Sequence, residues 1–241
     1  MNLNCENGDP LLAGFKTDGF FAEYASVDYR DCIQLPSNMD ARKASPIFCA
    51  GLTAFNSVNA CECKPGDWVA IIGCGGLGQM AIMYCKAMGF KVIGIDINDE
   101  ILAAAAKIGA DLTFNSRTNP SYVEELRKLT GGGADATIVY SASAKAYEGA
   151  HTTLRINGVL MVIGLCPKPL QVSTYDLMQG IYRIKAETTG PPWKMPKGIE
   201  FTAKHNISPP MSFYKLEDIN TMITKMREGD LSGGRMVVNF D

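Results

Sequence analysis

The sequence of 241 residues contains only two histidines, no long apolar run and no strong excess of charge of either sign. A formal net charge of −2 excludes the basic surface that nucleic acid or an anionic membrane would require. The longest apolar runs, such as GVLMVIGL at 158–165, are far shorter than the roughly 20 residues that cross a bilayer. We therefore expect neither nucleic acid nor a membrane as a partner.

The N-terminal segment MNLNCENGDP has neither the basic region nor the apolar region of a signal peptide. Eight cysteines are scattered without the regular spacing of a disulfide framework, which indicates reduced thiols and a cytoplasmic protein. With 46% hydrophobic and 20% charged residues, the composition is typical of a globular protein with a substantial core.

Short apolar runs alternate with helical patterns along the middle of the chain. The predicted strands are DWVAIIG (67–73), KVIGID (91–96), DLTFN (111–115), ATIVYS (136–141), GVLMVIGL (158–165) and IYRIKAET (181–188). The predicted helices between them are 77–89, 99–110, 120–133 and 144–155. This alternation predicts an α/β fold in which helices cover both faces of a doubly wound parallel sheet.

The two flanks of this region have a different character. The segment 19–36 carries aromatic and β-branched residues with turn signals, which predicts antiparallel strands. After residue 210, the pattern predicts a strand, an amphipathic helix and a closing strand in GGRMVVNF (233–240). We expect the two flanks to meet and to form part of a second, smaller unit.

A glycine-rich turn, GCGGLG at 73–78, follows the first predicted strand and opens a predicted helix. This context is the one required of a dinucleotide-binding G-x-G-x-x-G motif; the alternative is a glycine turn that holds no ligand. Gly73 permits the tight turn, Gly75 lets a pyrophosphate approach the backbone, and Gly78 lets helix and strand pack closely. Gly76 and Leu77, at the start of the predicted helix 77–89, are also candidate cofactor-binding residues, because the helix N-terminus offers N–H groups to the phosphates.

Asp96 ends the second predicted strand and would accept hydrogen bonds from the adenosine ribose hydroxyls. Its carboxylate would repel a 2′-phosphate, and the following residues, INDE, contain no arginine that could bind one. The sequence therefore favours NAD(H) over NADP(H) as the cofactor.

Several of these segments together resemble the medium-chain, zinc-type alcohol dehydrogenases in their microbial and fungal form. The resemblance rests on GFKTDGFFAEYA, IFCAGLTAFNSV, KPGDWVAIIGCGGLGQMAIMYCKAMG, VIGIDI and GDLSGGRMVVNF, which occur in the family's order. It implies a six-stranded Rossmann domain at 46–207, with remnants of a GroES-like β catalytic domain at 1–45 and a return to that domain at 208–241.

The resemblance also assigns roles to individual residues. Cys49 matches a cysteine that binds the catalytic zinc, and Thr53 matches a residue beside the nicotinamide. Gly164 and Leu165 match the backbone next to the nicotinamide, and Arg235 matches an arginine that reaches the cofactor pyrophosphate. It further implies a homodimer or larger oligomer, in which the strand IYRIKAET pairs with its symmetry mate.

The chain departs from the family pattern at the metal sites. Family members carry further zinc ligands in an N-terminal segment that this chain lacks, and Cys5 matches only the last of four structural cysteines. A zinc site needs three or four protein ligands, and neither His151 nor His205 matches a ligand position. We therefore expect no metal site, with Cys49 as a free thiol lining the active-site cleft.

A second departure is the segment AETTGPPWKMPKGIEF (186–201), where Trp193 follows two prolines. The prolines either cap the next helix, predicted to begin near Pro196, or place Trp193 as a wall of a reshaped ligand pocket.

These observations leave three functions open. The first is an NAD(H)-linked oxidoreductase that acts without catalytic zinc on an alcohol, a carbonyl compound or an enone. The second is a non-redox enzyme on the same scaffold, such as an isomerase, cyclase or lyase. The third is a non-catalytic NAD-binding protein.

Overall fold

A computed structural model describes residues 12–228 and 234–240 of the chain. Its central element is a six-stranded parallel sheet with the strand order β3-β2-β1-β4-β5-β6. The strands are β1 (Trp68–Ile72), β2 (Lys91–Asp96), β3 (Leu112–Asn115), β4 (Ala134–Val139), β5 (Leu154–Val162) and β6 (Tyr182–Ala186). The predicted doubly wound α/β fold is confirmed.

The described α-helices are α1 (Ala41–Ala44), α2 (Ala50–Asn59), α3 (Gly76–Ala87), α4 (Asp99–Lys107), α5 (Tyr122–Thr130), α6 (Ala144–Glu148), α7 (Thr174–Met178), α8 (Met195–Lys204) and α9 (Ile219–Glu228). Local signals explain several boundaries. The Asn98 side chain accepts hydrogen bonds from two N–H groups in the first turn of α4, and α5 ends at Gly131 in the left-handed conformation.

The sheet separates two apolar clusters because successive side chains of a strand point to opposite faces. On one face, Val69 and Ile71 of β1 share a cluster with residues of α2, α3 and α8. On the other face, Ala70 and Ile72 share a cluster with residues of α5 and α6. Both faces of β1 are therefore buried, which agrees with its uninterrupted apolar sequence.

The prediction for 144–155 is only partly right. The helix α6 ends at Glu148, a 3-10 helix follows at Ala150–Thr153, and β5 already begins at Leu154. Leu154, the first residue of β5, is buried, whereas residues 155–157 are exposed. Pairing of Leu154 with Ala134 of β4 lets β5 begin before the predicted strand, whereas pairing with β6 begins only at Gly158.

The antiparallel strands predicted for 19–36 are not formed. This segment contains only a 3-10 helix at Tyr29–Asp31, and Phe20, Phe21 and Tyr24 are exposed. A strand needs a neighbour for its backbone hydrogen bonds, and among the described residues no strand pairs with this segment.

The C-terminal flank follows the prediction more closely. The strands β7 (Met211–Tyr214) and β8 (Arg235–Val238) form a separate two-stranded parallel sheet, and α9 lies between them in sequence. Cys5 and residues 229–233, which include the first part of the closing motif, lie outside the described residues. Among the described helices, none has both the length and the apolar character that crossing a bilayer demands.

Candidate active site: a cleft at the carboxyl ends of the parallel strands

The strand order reverses between β1 and β4, which lie side by side at the centre of the sheet. From β1 the chain proceeds to β2 and β3 on one side, and from β4 to β5 and β6 on the other. In open parallel sheets, such a reversal leaves a crevice at the carboxyl ends of the two central strands. The predicted site residues Gly73 and Asp96 lie at this edge of the sheet.

The glycine turn needs glycine at two positions for demonstrable steric reasons. Gly73 has φ of +90°, in the region that favours glycine. A Cβ on Gly78 would lie 2.1 Å from the carbonyl oxygen of Gly73, so only glycine lets α3 pack this close to the end of β1. By contrast, a Cβ on Gly75 would meet nothing within 4 Å, so there is open space beside the turn at this residue.

The helix α3 begins at Gly76 without a side-chain cap, because its N-cap residue is Gly75. The first N–H groups of a helix lack intrahelical partners, and the helix dipole adds partial positive charge at this end. Together with the open side of Gly75, this arrangement could hold a phosphate group against the turn.

Asp96 is tied directly to the glycine turn. Its Oδ2 accepts a hydrogen bond from the N–H of Cys74 at 2.8 Å. Its Oδ1 accepts from the N–H groups of Ile97 at 2.7 Å and Asn98 at 3.1 Å. The carboxylate, on a half-buried residue, is therefore fixed at the junction of β1, β2 and α3.

Cys74, the residue between the first two glycines, has a packing role. Its side chain is fully buried, and Sγ donates weakly to the carbonyl oxygens of Ile71 and Ile95. Burial raises the pKa of the Cys74 thiol well above its ordinary value, and the nearby Asp96 carboxylate raises it further. This thiol is therefore protonated and fills space between β1 and β2.

A cavity of about 510 Å³ opens beside Asp96, which is within the size range of small-ligand sites. Its lining includes the predicted residues Gly73 and Asp96. It also includes Ile97, Arg117 and Lys145, which the sequence reasoning did not single out. Arg117 follows β3 and Lys145 lies in the helix after β4. The sequence could have indicated these residues, because the segments that follow parallel strands all lie along the same edge of the sheet.

Arg235 reaches the same turn from β8. A Cβ on Gly76 would lie 3.0 Å from Cδ and 3.3 Å from Nη1 of Arg235, so the arginine side chain packs against the start of α3. The structure thus brings together the glycine turn, Asp96 and Arg235, which are far apart in the sequence. A dinucleotide held there would meet N–H groups, a carboxylate and a guanidinium.

Gly164 lies next to this group of residues. A Cβ on Gly164 would lie 2.1 Å from the carbonyl oxygen of Ser141, and Ser141 lines the cavity beside Asp96. The hydroxyl of Tyr147 donates to the carbonyl oxygen of Gly164 at 2.6 Å, and the N–H of Gly164 donates to Val139. The neighbouring Leu165 is 91% exposed. A second cavity of about 740 Å³ lies beside Gly164 and Tyr147.

Cys49 and Thr53 lie at the start of α2. The N–H of Thr53 donates to the carbonyl oxygen of Cys49 at 2.9 Å, and the hydroxyl groups of Thr53 and Thr189 are hydrogen-bonded at 2.9 Å. The side chain of Asn56 donates to the carbonyl oxygens of Thr188 and Thr189. The helix α2 thereby holds the segment that follows β6, while Cys49 itself is exposed.

Trp193 lies in a 3-10 helix at Pro192–Lys194, directly before α8. Its side chain is 80% exposed, and it lines neither of the two cavities described above. The adjacent Lys194 donates to Glu187 at 3.2 Å, which ties this short helix to the end of β6. The structure therefore does not bring Trp193 to the glycine turn, and its role as a pocket wall stays a prediction.

The described residues do not fit a zinc site. Within 12–228 and 234–240, no group of three or more histidine, cysteine, aspartate or glutamate side chains is arranged to hold a metal ion. The ring of His151 packs at a tilt against Tyr182 and that of His205 against Phe201, with centroids 5.4 and 4.3 Å apart. Burial raises the pKa of the Cys63 thiol to about 12, so it is protonated.

Rossmann-type folds are defined by this strand order, with a glycine turn after the first strand and an acidic residue after the second. Within this class, the family model described as zinc-binding dehydrogenase matches residues 76–204. An alcohol dehydrogenase from Geobacillus stearothermophilus is 34% identical over 231 residues, which cover 95% of this chain and 67% of the relative. The chain belongs to the medium-chain, zinc-type alcohol dehydrogenase family and is an oxidoreductase of the alcohol dehydrogenase type.

Solved structures agree with this assignment. An alcohol dehydrogenase from Aeropyrum pernix superposes with a TM-score of 0.85 at 27% identity, covering 97% of this chain and 68% of the other. An acetophenone reductase from Geotrichum candidum, solved in complex with NAD, has the same fold with a TM-score of 0.72 at 23% identity. The superposed residues cover 86% of this chain and 58% of the reductase. The chain thus spans about two thirds of the length of its alcohol dehydrogenase relatives.

Proposed function

We propose that the chain is an NAD(H)-linked oxidoreductase whose substrate is an alcohol, a carbonyl compound or an enone. The observation that carries the proposal is the position of the Asp96 carboxylate. It accepts a hydrogen bond from the N–H of Cys74 in the glycine turn, and Asp96 lines the adjoining cavity. A carboxylate in this position binds ribose hydroxyls and repels a 2′-phosphate. The NAD complex of the acetophenone reductase supports the choice of cofactor at the level of the shared fold.

The residues that would hold the cofactor follow from the chemistry of its parts. The N–H groups at the start of α3, near Gly76 and Leu77, suit the pyrophosphate, and Arg235 would supply a positive charge beside it. Asp96 would accept from the adenosine ribose. The bound nicotinamide supplies the acceptor or donor of a hydride, while this chain's residues bind it and orient it.

At the other end of the cleft, Thr53, Gly164 and Leu165 are proposed to position the nicotinamide. The hydroxyl groups of Thr53 and Thr189 are hydrogen-bonded, and the carbonyl oxygen of Gly164 accepts from the hydroxyl of Tyr147. Both Thr53 and Gly164 therefore have fixed positions. Cys49 lies one turn of backbone before Thr53 and is proposed to face the same space as a free thiol. Trp193 is proposed as a further wall residue at this end of the cleft.

We further propose that the chemistry proceeds without a catalytic zinc. Among the described residues, Cys49 has no further ligands with which to form a site of three or more groups. Negative charge that develops on a substrate oxygen would then need a hydrogen-bond donor, or an activated substrate such as an enone. A panel of aldehydes and enones, assayed for hydride exchange with NADH with and without added zinc, tests this proposal. Tight NADH binding without any turnover would contradict it.

The division into 1–45, 46–207 and 208–241 is proposed on similar grounds. All six strands of the central sheet fall within 46–207, and β7 and β8 fall within 208–241. The first unit contacts the second through Asn38, whose side chain donates to the carbonyl oxygen of Ala203 at 2.9 Å. Fragments from limited proteolysis that begin near residue 46 would support the first boundary, and cleavage confined to 68–186 would contradict it.

A homodimer or larger assembly is proposed through β6, the edge strand of the sheet. An exposed edge is a site of association unless charges block it. Here Arg183 and Lys185 are both paired with Glu62, which offsets one of their two positive charges. Both cations lower the pKa of the Glu62 carboxyl, Lys185 more than Arg183. Light scattering at micromolar concentration should find no clean monomer.

A cytoplasmic location is proposed because all seven cysteines among the described residues are free thiols. Thiol titration of protein from a cell lysate in denaturant, with alkylation at the moment of lysis, should find all eight cysteines of the sequence reduced. A disulfide-linked fraction would contradict the proposed location.

A further inference from the structure

The cavity beside Asp96 contains two cations that come from other parts of the chain. Arg117 lies in the segment after β3, and Lys145 lies in α6, and both line the cavity together with Asp96. Their side chains are exposed and take part in no hydrogen bond or ion pair with any residue that the structure describes. Only the backbone N–H of Arg117 is engaged, with Asn115 Oδ1 at 3.0 Å.

The opposing negative charge in this cavity comes from Asp96. It is the one carboxylate among the described lining residues, and its two oxygens already accept three backbone N–H bonds. The next acidic residue, Asp99, does not line the cavity, and Asn115 Nδ2 donates to its carboxylate at 2.7 Å. The cavity is therefore lined by two positive side chains and one negative one.

Resting on the proposed NAD(H) function, we propose that Arg117, assisted by Lys145, is a latent recognition site for a ribose 2′-phosphate. Asp96 then sets the cofactor preference by itself, because its carboxylate is all that excludes the phosphate from a cavity that already contains the cations for it. A guanidinium binds phosphate through two parallel N–H bonds, and an ammonium adds charge. Removal of the Asp96 charge should therefore raise the affinity for a 2′-phosphate, and Arg117 should account for most of that gain.

The test uses two fragments of the cofactors, ADP and adenosine 2′,5′-bisphosphate, with the full-length chain and titration calorimetry. Asp96→Asn is the main variant because the amide keeps an oxygen acceptor for the N–H of Cys74 while it removes the charge. Asp96→Ala serves as a second variant. Each is combined with Arg117→Gln, with Lys145→Gln, and with the matched control Lys107→Gln, whose exposed lysine lies outside the cavity.

The wild-type protein should bind ADP in preference to the bisphosphate. Asp96→Asn should bind the bisphosphate at least about tenfold more tightly than wild type does, a change of about 1.4 kcal/mol. Adding Arg117→Gln should remove most of that gain, Lys145→Gln a smaller part of it, and Lys107→Gln none.

Two failures can be told apart. If the wild-type protein binds neither ADP nor NADH, the proposed function itself is wrong. If the wild-type protein binds both, but neither Asp96 variant gains affinity for the bisphosphate, only the latent phosphate site is wrong. A gain that survives Arg117→Gln would overturn the role of Arg117 in the same way. Melting temperatures of all variants show whether a loss of binding reflects a loss of folding.

Discussion

The two ends of the cleft differ in how completely their surroundings are built. At the proposed adenosine end, Asp96 is hydrogen-bonded to the glycine turn, and residues from four parallel strands and their following segments line a cavity of about 510 Å³. At the proposed nicotinamide end, Cys49 is exposed, and Leu165 and Trp193 are 91% and 80% exposed. The proposed adenosine end is thus built from one sheet, whereas the proposed nicotinamide end includes side chains that the other described residues leave exposed.

This difference follows from the topology of the fold. The adenosine end uses backbone geometry at the carboxyl ends of adjacent strands, which the sheet fixes as soon as it forms. The nicotinamide end depends on α2 and on the segment after β6, whose contacts are side-chain hydrogen bonds between Thr53 and Thr189 and from Asn56. We therefore expect changes at the glycine turn to have larger effects than changes near Cys49.

The largest effect is expected from Gly78→Ala. The added Cβ would lie 2.1 Å from the carbonyl oxygen of Gly73, so α3 has to move away from β1. We expect the free energy of unfolding to fall by about 3 kcal/mol or more, measured by urea denaturation. Gly75→Ala is the matched control, because its Cβ would meet nothing within 4 Å.

Gly75→Ala should keep a free energy of unfolding within about 1 kcal/mol of wild type. It should nevertheless weaken NADH binding, since the methyl group occupies the open side of the turn where the pyrophosphate would approach. If the two alanine variants lost equal stability, the steric account of the turn would fail.

A smaller effect is expected from Arg235→Gln. The arginine packs against Gly76 and would pair with the cofactor pyrophosphate, so NADH affinity should fall about tenfold, or by about 1.4 kcal/mol. The loss should shrink as salt is added, because screening weakens the charge interaction in the wild-type protein. Arg227→Gln in α9, a control at an exposed arginine, should leave NADH affinity unchanged.

The smallest effect is expected from metal removal. Cys49 has no further ligands among the described residues, so the protein should purify without stoichiometric zinc, and a chelator should leave its melting temperature unchanged. NADH should instead slow the reaction of Cys49 with a thiol reagent. Cys32, the matched control, is also an exposed thiol and should react at the same rate with or without NADH.

If elemental analysis instead finds one tightly held zinc per chain that is lost on Cys49→Ser, the expectation of a zinc-free protein is wrong. Equal protection of Cys49 and Cys32 by NADH would argue that Cys49 does not face the cofactor.

Much of the fold could be predicted from the sequence. The six strands and the helix α3 were predicted to within a few residues, except at the start of β5, because β-branched runs and helix-ending glycines are local signals. The strands expected at 19–36 were wrong for a physical reason: aromatic and β-branched residues favour a strand only where another strand offers hydrogen bonds.

By itself, the sequence determined the order of elements, the glycine turn and Asp96, because each depends on steric or charge properties of neighbouring residues. Only the tertiary structure decided which distant side chains join them. Arg235 lies against Gly76, and Arg117 and Lys145 share a cavity with Asp96, because parallel strands bring their carboxyl ends to one edge. A search for basic residues beside Asp96 in the sequence finds none, since these cations approach across strands rather than along the chain.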